Sequence, residues 1–173
     1  MQIDQLTPAG LAGLREPLLD LYGRCFSGPP WNENLTEIYL DVVDKHLADP
    51  GLTVFAARAG TDLIGVIYGW PAPAEVPDTP FHRSLPASAL PHVVAPAVGV
   101  AELMVHPDHQ GKGIGRELLT RYMKQHSAGW LVTHPDAPAR ALYDSAGWQR
   151  GEQFRNQRDE PRVFYFHQAE KGW

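Results

Sequence analysis

The sequence predicts one α/β domain in which helices accompany a mixed sheet. Three observations support this fold class. Two amphipathic helical patterns come first, a hairpin of strand-like segments follows, and alternating strands and helices fill the C-terminal half. With 173 residues, 43% of them hydrophobic, the chain can build one compact core but not two typical ones. We therefore expect residues 1–173 to form a single domain.

Two helices are predicted at the N-terminus. Apolar residues recur at spacings of three and four over residues 7–25, and a second such pattern covers residues 35–47. Pro17 lies inside the first pattern, so we expect it to kink or divide that helix. Cys25 lies on the apolar face, which favours core packing over chemistry. The two patterns are separated by a stiff, aromatic loop over residues 27–32.

A hairpin and an irregular segment come next. Residues 53–58 and 63–70 are strand-like, and residues 59–62 between them are typical of a hairpin turn. Residues 71–96 contain seven prolines and little periodicity, which predicts an ordered but irregular insertion. Such a segment is interpreted either as a functional lid or partner contact, or as a floppy surface excursion.

The C-terminal half alternates strands with helices. A short apolar strand that begins near residue 98 ends at a proline, and an amphipathic helix follows a glycine-rich turn. The predicted elements in order are a strand ending before Pro107, a helix carrying Leu118 to Met123, a strand at 129–133, a helix at 137–145 ending at Gly147, a polar loop at 151–161, and a strand at 162–167.

Composition limits the function classes. A net charge of −5 argues against a nucleic-acid surface, which would carry a basic stripe. The most apolar long window, residues 85–105, contains three prolines, a histidine and a glutamate, so a membrane span is not expected. The one cysteine cannot form an intrachain disulfide and the N-terminus does not resemble a signal peptide, so we expect a cytoplasmic protein. A homodimer stays open.

The glycine-rich turn reads Gln110-Gly-Lys-Gly-Ile-Gly115 and lies between a strand and a helix. Backbone N–H groups at a helix N-terminus without covering side chains are typical of phosphate binding. A P-loop would need Ser or Thr after the lysine, but Gly113 follows Lys112. A dinucleotide fingerprint would need a third glycine where Arg116 stands. The pattern that remains is Gln/Arg-x-x-Gly-x-Gly/Ala, which this turn fills.

That pattern resembles the coenzyme A signature of the GNAT superfamily of N-acetyltransferases. The resemblance continues on both sides of the turn. Leu103-x-Val105-x-Pro107 resembles the family's fourth strand, and residues 139–148 resemble its later helix and the strand after it. The resemblance covers residues 98–148. It implies a mostly antiparallel central sheet, splayed between its fourth and fifth strands, with coenzyme A in the gap.

The same resemblance implies acetyl-CoA as the cosubstrate and indicates which residues bind it. Backbone groups of residues 111–116 would bind the pyrophosphate, and main-chain groups of the fourth strand would bind pantetheine and the thioester carbonyl. Asp136 stands where the family often has asparagine, and a carboxylate accepts but cannot donate. The predicted cofactor-binding residues are Leu103, Met104, Val105, Gln110, Gly111, Lys112, Gly113, Ile114, Gly115, Arg116, Asp136 and Ala139.

Two residues are predicted to be catalytic. Tyr143 lies where many family members keep a tyrosine near the thioester sulfur, and it could protonate the departing thiolate; the alternative is a buried packing residue. Glu102 precedes the strand motif and could accept the proton of the amine; the alternative is a structural or solvent-facing glutamate. His106 and His109 are interpreted as exposed turn histidines, and no metal site is predicted.

The predicted function is an acetyl-CoA-dependent N-acetyltransferase that transfers an acetyl group to a primary amine by direct attack in a ternary complex. The alternative is a non-catalytic acyl-CoA-binding sensor or regulatory protein. The acceptor is expected to be a small-molecule amine or a peptide amine. The resemblance implies an acceptor pocket formed by residues 27–32 and 151–161, with residues 71–96 as its cover.

Overall fold

A computed structural model describes residues 1–11, 13–33 and 38–169. These residues form helices and seven strands in the sheet order β1-β2-β3-β4-β5-β7-β6. The strands are β1 (Gln2–Gln5), β2 (Thr53–Ala59), β3 (Asp62–Pro71), β4 (Val98–Val105), β5 (Ala128–Thr133), β6 (Gln149–Arg155) and β7 (Pro161–Gln168). The α-helices are α1 (Pro8–Leu11), α2 (Arg15–Phe26), α3 (Ile38–Leu47), α4 (Pro80–Ser84), α5 (Ile114–Met123) and α6 (Arg140–Ser145).

The sheet is mostly antiparallel, as predicted. β1 with β2, β2 with β3, β5 with β7, and β6 with β7 are antiparallel pairs. β4 and β5 are parallel and pair at the start of β4, where Val98 lies opposite Gly129 and Gly99 opposite Trp130. The predicted mixed α/β class is confirmed. None of the helices in the described ranges is long and apolar enough to cross a membrane.

The chain forms two compact units, and β4 contributes to both. The first unit comprises residues 1–70 and 101–124. Its core joins α2 and α3 to the inner strands and consists of Leu14, Leu18, Leu21, Tyr22, Val43, Val54, Ala56, Leu63, Val66, Tyr68 and Met104. Cys25 packs against this core, as its place on the apolar face predicted.

The N-terminal segment differs from the prediction in two ways. The first helical pattern is divided as expected, but the break precedes α2 and Pro17 is the third residue of that helix. The backbone N–H of a first-turn residue has no intrahelical acceptor, so a proline is tolerated there. The strand β1 was not predicted; its Ile3 lies opposite Ala57 of β2. Residues 34–37, where the second helix was expected to begin, lie outside the described residues.

The second unit comprises residues 71–100 and 125–173. Residues 71–96 are ordered within it, and the helix α4 and a 3-10 helix at Ala87–His92 were not predicted. Leu85, Ala89 and Val93 of this segment are buried with Phe164 of β7. The interpretation as a floppy surface excursion is therefore wrong, because the segment supplies part of a core.

The polar loop expected at residues 151–161 is shorter than predicted. Residues 151–155 belong to β6, which pairs with β7 and forms an edge of the sheet, and residues 156–160 connect these two strands. Five of the seven residues of β6 are exposed, so it lacks the apolar alternation that identifies a half-buried strand. Hydrogen bonds from β7, rather than its own sequence, define this strand.

A half-buried histidine connects α3 to β3 in the first unit. Nδ1 of His46 lies 2.9 Å from the hydroxyl of Tyr68, and the two rings are in edge contact. Burial lowers the pKa of His46 to about 4, although the charge of Asp49 acts in the opposite direction. The imidazole is therefore neutral at pH 7.

The lowered pKa of His46 predicts a pH dependence of stability. Since the folded pKa is lower than the unfolded value of about 6.5, the unfolded state binds a proton that the folded state does not as the pH falls from 6.5 towards 4. Wild-type protein should lose about 2 kcal/mol more unfolding free energy than His46→Gln between pH 7 and pH 4.5. Urea denaturation at both pH values measures this difference. Equal losses in the two proteins would contradict it.

Candidate active site

The glycine turn, residues 110–116, is open to approach by a ligand. Gly111 and Gly113 have φ angles of 76° and 82°, in the left-handed region that favours glycine. A Cβ atom built on either residue would meet no atom within 4 Å. Residues 110–113 are exposed, and Gly113 precedes α5 without a side-chain cap. Backbone N–H groups at this helix N-terminus are thus uncovered by any capping side chain.

The charges around the glycine turn favour an anion. Lys112 and Arg116 are both exposed. The acidic residue in the first turn of α5, Glu117, is paired with Arg121 at 2.8 Å, one turn further along the helix. The positive end of the helix dipole adds to the two cations. This arrangement suits the phosphates of a nucleotide.

The helix α5 is held firmly behind this turn. Its inner face packs so closely on β3 that a Cβ on Gly65 would lie 3.1 Å from Leu118 and 3.2 Å from Ile114. Arg121 donates a 2.7 Å hydrogen bond to the backbone carbonyl of Ile3 in β1. Contacts with two strands therefore fix the position of the helix N-terminus.

The C-terminal end of β4 connects to both α2 and the glycine turn. The carbonyl oxygen of Val105 accepts hydrogen bonds from Nε2 of Gln110 at 2.9 Å and from Sγ of Cys25 at 3.4 Å. The Gln110 side chain therefore stabilises the entry to the turn. Because the Val105 carbonyl already accepts two hydrogen bonds within the chain, we expect the N–H of this residue, rather than its carbonyl, to contact a cofactor.

Glu102 lies half-buried in the first unit, close enough to Cys25 for their charges to interact. Burial, followed by the negative charge of Glu102, raises the pKa of the Cys25 thiol to about 11. The thiol is consequently neutral at physiological pH and is a poor nucleophile. This supports the assignment of Cys25 to packing and places a carboxylate beside the end of α2.

Tyr143 lies in the second unit, on α6. It is 4% exposed and packs between Trp148 and Tyr165, with ring centroids at 6.1 Å and 5.4 Å. The helix ends as predicted at Gly147, whose φ angle is 84°. The contacts with Trp148 and Tyr165 hold the ring in place on the inner face of α6.

The loop before α6 carries the two predicted cofactor-binding residues of the second unit, Asp136 and Ala139. Asp136 has an exposed side chain, and its N–H donates to Nδ1 of His134 at 3.0 Å. Ala139 immediately precedes α6. Arg140 donates to the carbonyl of Pro135 and so connects this loop to the helix. The predicted site residues therefore fall into two groups, with Glu102 and residues 103–105 and 110–116 in the first unit.

The histidines of the turn contact each other rather than forming a metal site. The rings of His106 and His109 are in edge contact, with their centroids 5.6 Å apart. Nδ1 of His106 accepts a hydrogen bond from the N–H of Asp108 at 3.1 Å. Among the described residues, no group of three His, Cys, Asp or Glu side chains is arranged to bind a metal ion.

The acetyltransferase (GNAT) family model matches residues 15–148. The chain belongs to the GNAT acetyltransferase family. Membership of the GNAT family makes it an acetyltransferase, and the predicted family and enzyme class are confirmed. The match includes β4, the glycine turn and α6, so all of the predicted site residues lie within it. No curated protein sequence matches the chain.

Solved structures share the GNAT fold with this chain at low sequence identity. Ribosomal-protein-S18-alanine N-acetyltransferase from Escherichia coli is 16% identical, with a TM-score of 0.66 over 99% of this chain and 96% of that one. Aminoglycoside 6'-acetyltransferase type Ii is 16% identical, with a TM-score of 0.67 and full coverage of both chains. An aminoglycoside 6'-N-acetyltransferase complexed with coenzyme A is 14% identical, with a TM-score of 0.66 over 100% and 99%.

Sequence reasoning missed a polar network beneath α6 in this GNAT chain. The hydroxyl of Tyr165 lies between Arg140 and Asp144, and Asp144 also pairs with Arg150 of β6 at 3.0 Å. Tyr165 was predicted only as part of the strand at residues 162–167. The spacing of Arg140 and Asp144, one helical turn apart, was the available signal, but the position of the strand tyrosine between them depends on the tertiary structure.

Proposed function

We propose that this chain is an acetyl-CoA-dependent N-acetyltransferase that acetylates a primary amine by direct attack in a ternary complex. The observation that carries the proposal is the glycine turn, an uncapped helix N-terminus with two left-handed glycines and open space in front of them. The family match runs through both compact units, which supports a single acetyltransferase domain over residues 1–173. A cytoplasmic location stays a prediction.

Coenzyme A binding follows from the chemistry of the glycine turn. The N–H groups of residues 111–116 and the cations Lys112 and Arg116 match the charge of a pyrophosphate. The coenzyme A complex among the related folds supports the same ligand here. Main-chain groups of Leu103 and Met104 and the N–H of Val105 would bind pantetheine and polarise the thioester carbonyl. Asp136 and Ala139 complete the proposed cofactor contacts.

The proposed reaction needs two proton transfers. The amine nitrogen attacks the thioester carbonyl carbon, and the tetrahedral intermediate collapses as the C–S bond breaks. Glu102 accepts the proton lost by the amine, directly or through water. Tyr143 donates a proton to the thiolate that leaves. The one thiol of the chain, Cys25, is neutral at pH 7, which argues against an acetyl-cysteine intermediate.

The acceptor is proposed to be an amine without further assignment. Solved relatives of this fold are named for aminoglycosides and for the alanine of a ribosomal protein, which are both amine acceptors. The loop after α2 carries an aromatic and an acidic side chain, Trp31 and Glu33, which both contact the end of the helix. The ring centroids of Trp31 and Phe26 are 5.1 Å apart, and the hydroxyl of Tyr22 donates to Glu33 at 2.6 Å. These groups suit a cationic molecule.

The test of function is thiol release with an amine panel. The panel contains an aminoglycoside, a peptide with an N-terminal alanine, a polyamine and free lysine. A thiol reagent would detect coenzyme A with little background, because Cys25 is the chain's one cysteine and its pKa is raised to about 11. Acceptor-dependent release supports the enzyme. Acetyl-CoA binding without turnover on any amine would support the sensor instead.

Gly113→Asp should abolish acetyl-CoA binding. A carboxylate at this exposed position would repel the pyrophosphate and block close approach of the backbone. Gly60→Asp is the matched control, because Gly60 also has a left-handed φ angle, 61°, and open space, but lies in the β2–β3 turn. Calorimetry should show binding in the control alone. Equal affinity in the two variants would remove the glycine turn from the cofactor site.

Tyr143→Phe should lower kcat and leave acetyl-CoA affinity nearly unchanged. The ring and its packing remain, but the proton donor is lost, and loss of a general acid costs about 10²- to 10⁴-fold. Steady-state kinetics and calorimetry separate these effects. A melting temperature that falls while kcat is retained would identify Tyr143 as a packing residue.

Glu102→Gln should lower kcat/KM most at low pH. An amine with a pKa near 10.4 is then mostly protonated, so the loss of a base has its largest effect there. The measurement is kcat/KM of the variant and of wild type as a function of pH, with an acceptor found in the panel. A profile that matches wild type in shape and height would return Glu102 to a structural role.

A further inference from the structure

The hydroxyl of Tyr165 is the connection between β7 and α6 in the second unit. Tyr165 is 0% exposed. Its hydroxyl accepts a hydrogen bond from Nε of Arg140 at 3.3 Å and donates one to Oδ1 of Asp144 at 3.0 Å. One buried oxygen atom thus contacts two side chains that lie one turn apart on the same helix.

The helix α6 depends on such contacts for its orientation. It is six residues long, and Ala139, which precedes it, provides no side-chain cap. A helix this short is not stable by itself in water, so tertiary contacts determine how it is rotated about its axis. Arg140, Tyr143 and Asp144 have the spacing i, i+3 and i+4, which places them on one helical face.

Tyr143 therefore lies between the two anchored side chains. Its ring packs against the ring of Tyr165 at 5.4 Å, with 52° between the ring planes. A rotation of α6 that moved the Tyr143 hydroxyl would also break at least one of the two hydrogen bonds to Tyr165. Arg140 extends the same constraint to the preceding loop through the carbonyl of Pro135.

We propose that Tyr165 is a positioning residue whose hydroxyl holds α6 in the orientation that Tyr143 needs to donate its proton. The inference rests on the proposed acid role of Tyr143. In this role Tyr165 itself touches neither substrate nor cofactor. Its effect on the reaction passes through α6.

A double-mutant cycle tests this inference in the full chain. Tyr165→Phe keeps the buried ring and removes only the hydroxyl, and it should lower kcat about 10- to 100-fold because small misplacements of a reacting group are costly. The acetyl-CoA dissociation constant should stay unchanged. In a Tyr143→Phe background, Tyr165→Phe should cause no further loss of kcat, since its effect requires the Tyr143 hydroxyl.

Tyr68→Phe is the matched control for stability. Tyr68 is also 0% exposed, lies on a strand and contacts a helix through its hydroxyl, at His46 in the first unit. It should lower the melting temperature and leave kcat unchanged. If Tyr165→Phe behaves in the same way, or if its loss of kcat adds fully to that of Tyr143→Phe, the positioning role is wrong.

Substitutions of Asp144, which is exposed, provide a second test that leaves every buried residue unchanged. Asp144→Ala removes the acceptor of the Tyr165 hydroxyl and should lower kcat, whereas Asp144→Asn keeps an acceptor oxygen and should recover most of the rate. Equal rates in these two variants would overturn the inference. A normal kcat in Tyr143→Phe alone would overturn the proposed acid itself, so the two failures are distinguishable.

Discussion

The N-terminus of α5 has to be fixed in space and left uncovered at the same time. The first requirement is met by packing, since the missing side chain of Gly65 allows α5 to lie against β3, and Arg121 reaches the carbonyl of Ile3. The second is met by Gly111 and Gly113, whose backbone conformation and open surroundings leave N–H groups accessible. An anion site built from backbone groups needs both, because a mobile helix end would not present several donors together.

The entry to this turn is determined by contacts distant in sequence. Cys25 and Gln110 both donate to the carbonyl of Val105, so α2, the end of β4 and the glycine turn share one acceptor. Burial keeps the thiol protonated and therefore able to donate this bond. The cysteine thus has a structural role that also separates it from the acyl-transfer chemistry.

The short helix α6 illustrates how a weak element is oriented. It has neither the length nor the cap to be stable alone, and the hydrogen bonds of a buried tyrosine hydroxyl to Arg140 and Asp144 supply its orientation. Asp144 is further paired with Arg150 on β6, an edge strand. A polar strand that sequence reasoning took for a loop is therefore part of the support beneath a proposed catalytic residue.

Local backbone requirements could be predicted from the sequence. The turn at Gly60, the helix end at Gly147 and the glycine turn all need left-handed or uncovered backbone, and glycine provides it wherever the rest of the chain lies. The apolar strands and α5 also carry their periodicity in their own residues. These features, with the motif of the glycine turn, were enough to predict the mixed fold and the family.

Only the tertiary structure decided the elements that a partner defines. β1 and β6 lie at the two edges of the sheet, and β6 is so polar that its hydrogen bonds to β7 are what make it a strand. The helices within residues 71–96 lack a clear period because they are short, and the segment buries only Leu85, Ala89 and Val93 in the cluster with Phe164. The hydrogen bonds of the Tyr165 hydroxyl could not be predicted either, because its partners lie on α6 and come within reach only when α6 packs on β7. The spacing of apolar residues indicates which face of a single helix or strand is buried. The edge strands, the short helices and the Tyr165 hydrogen bonds depend instead on which element packs beside them.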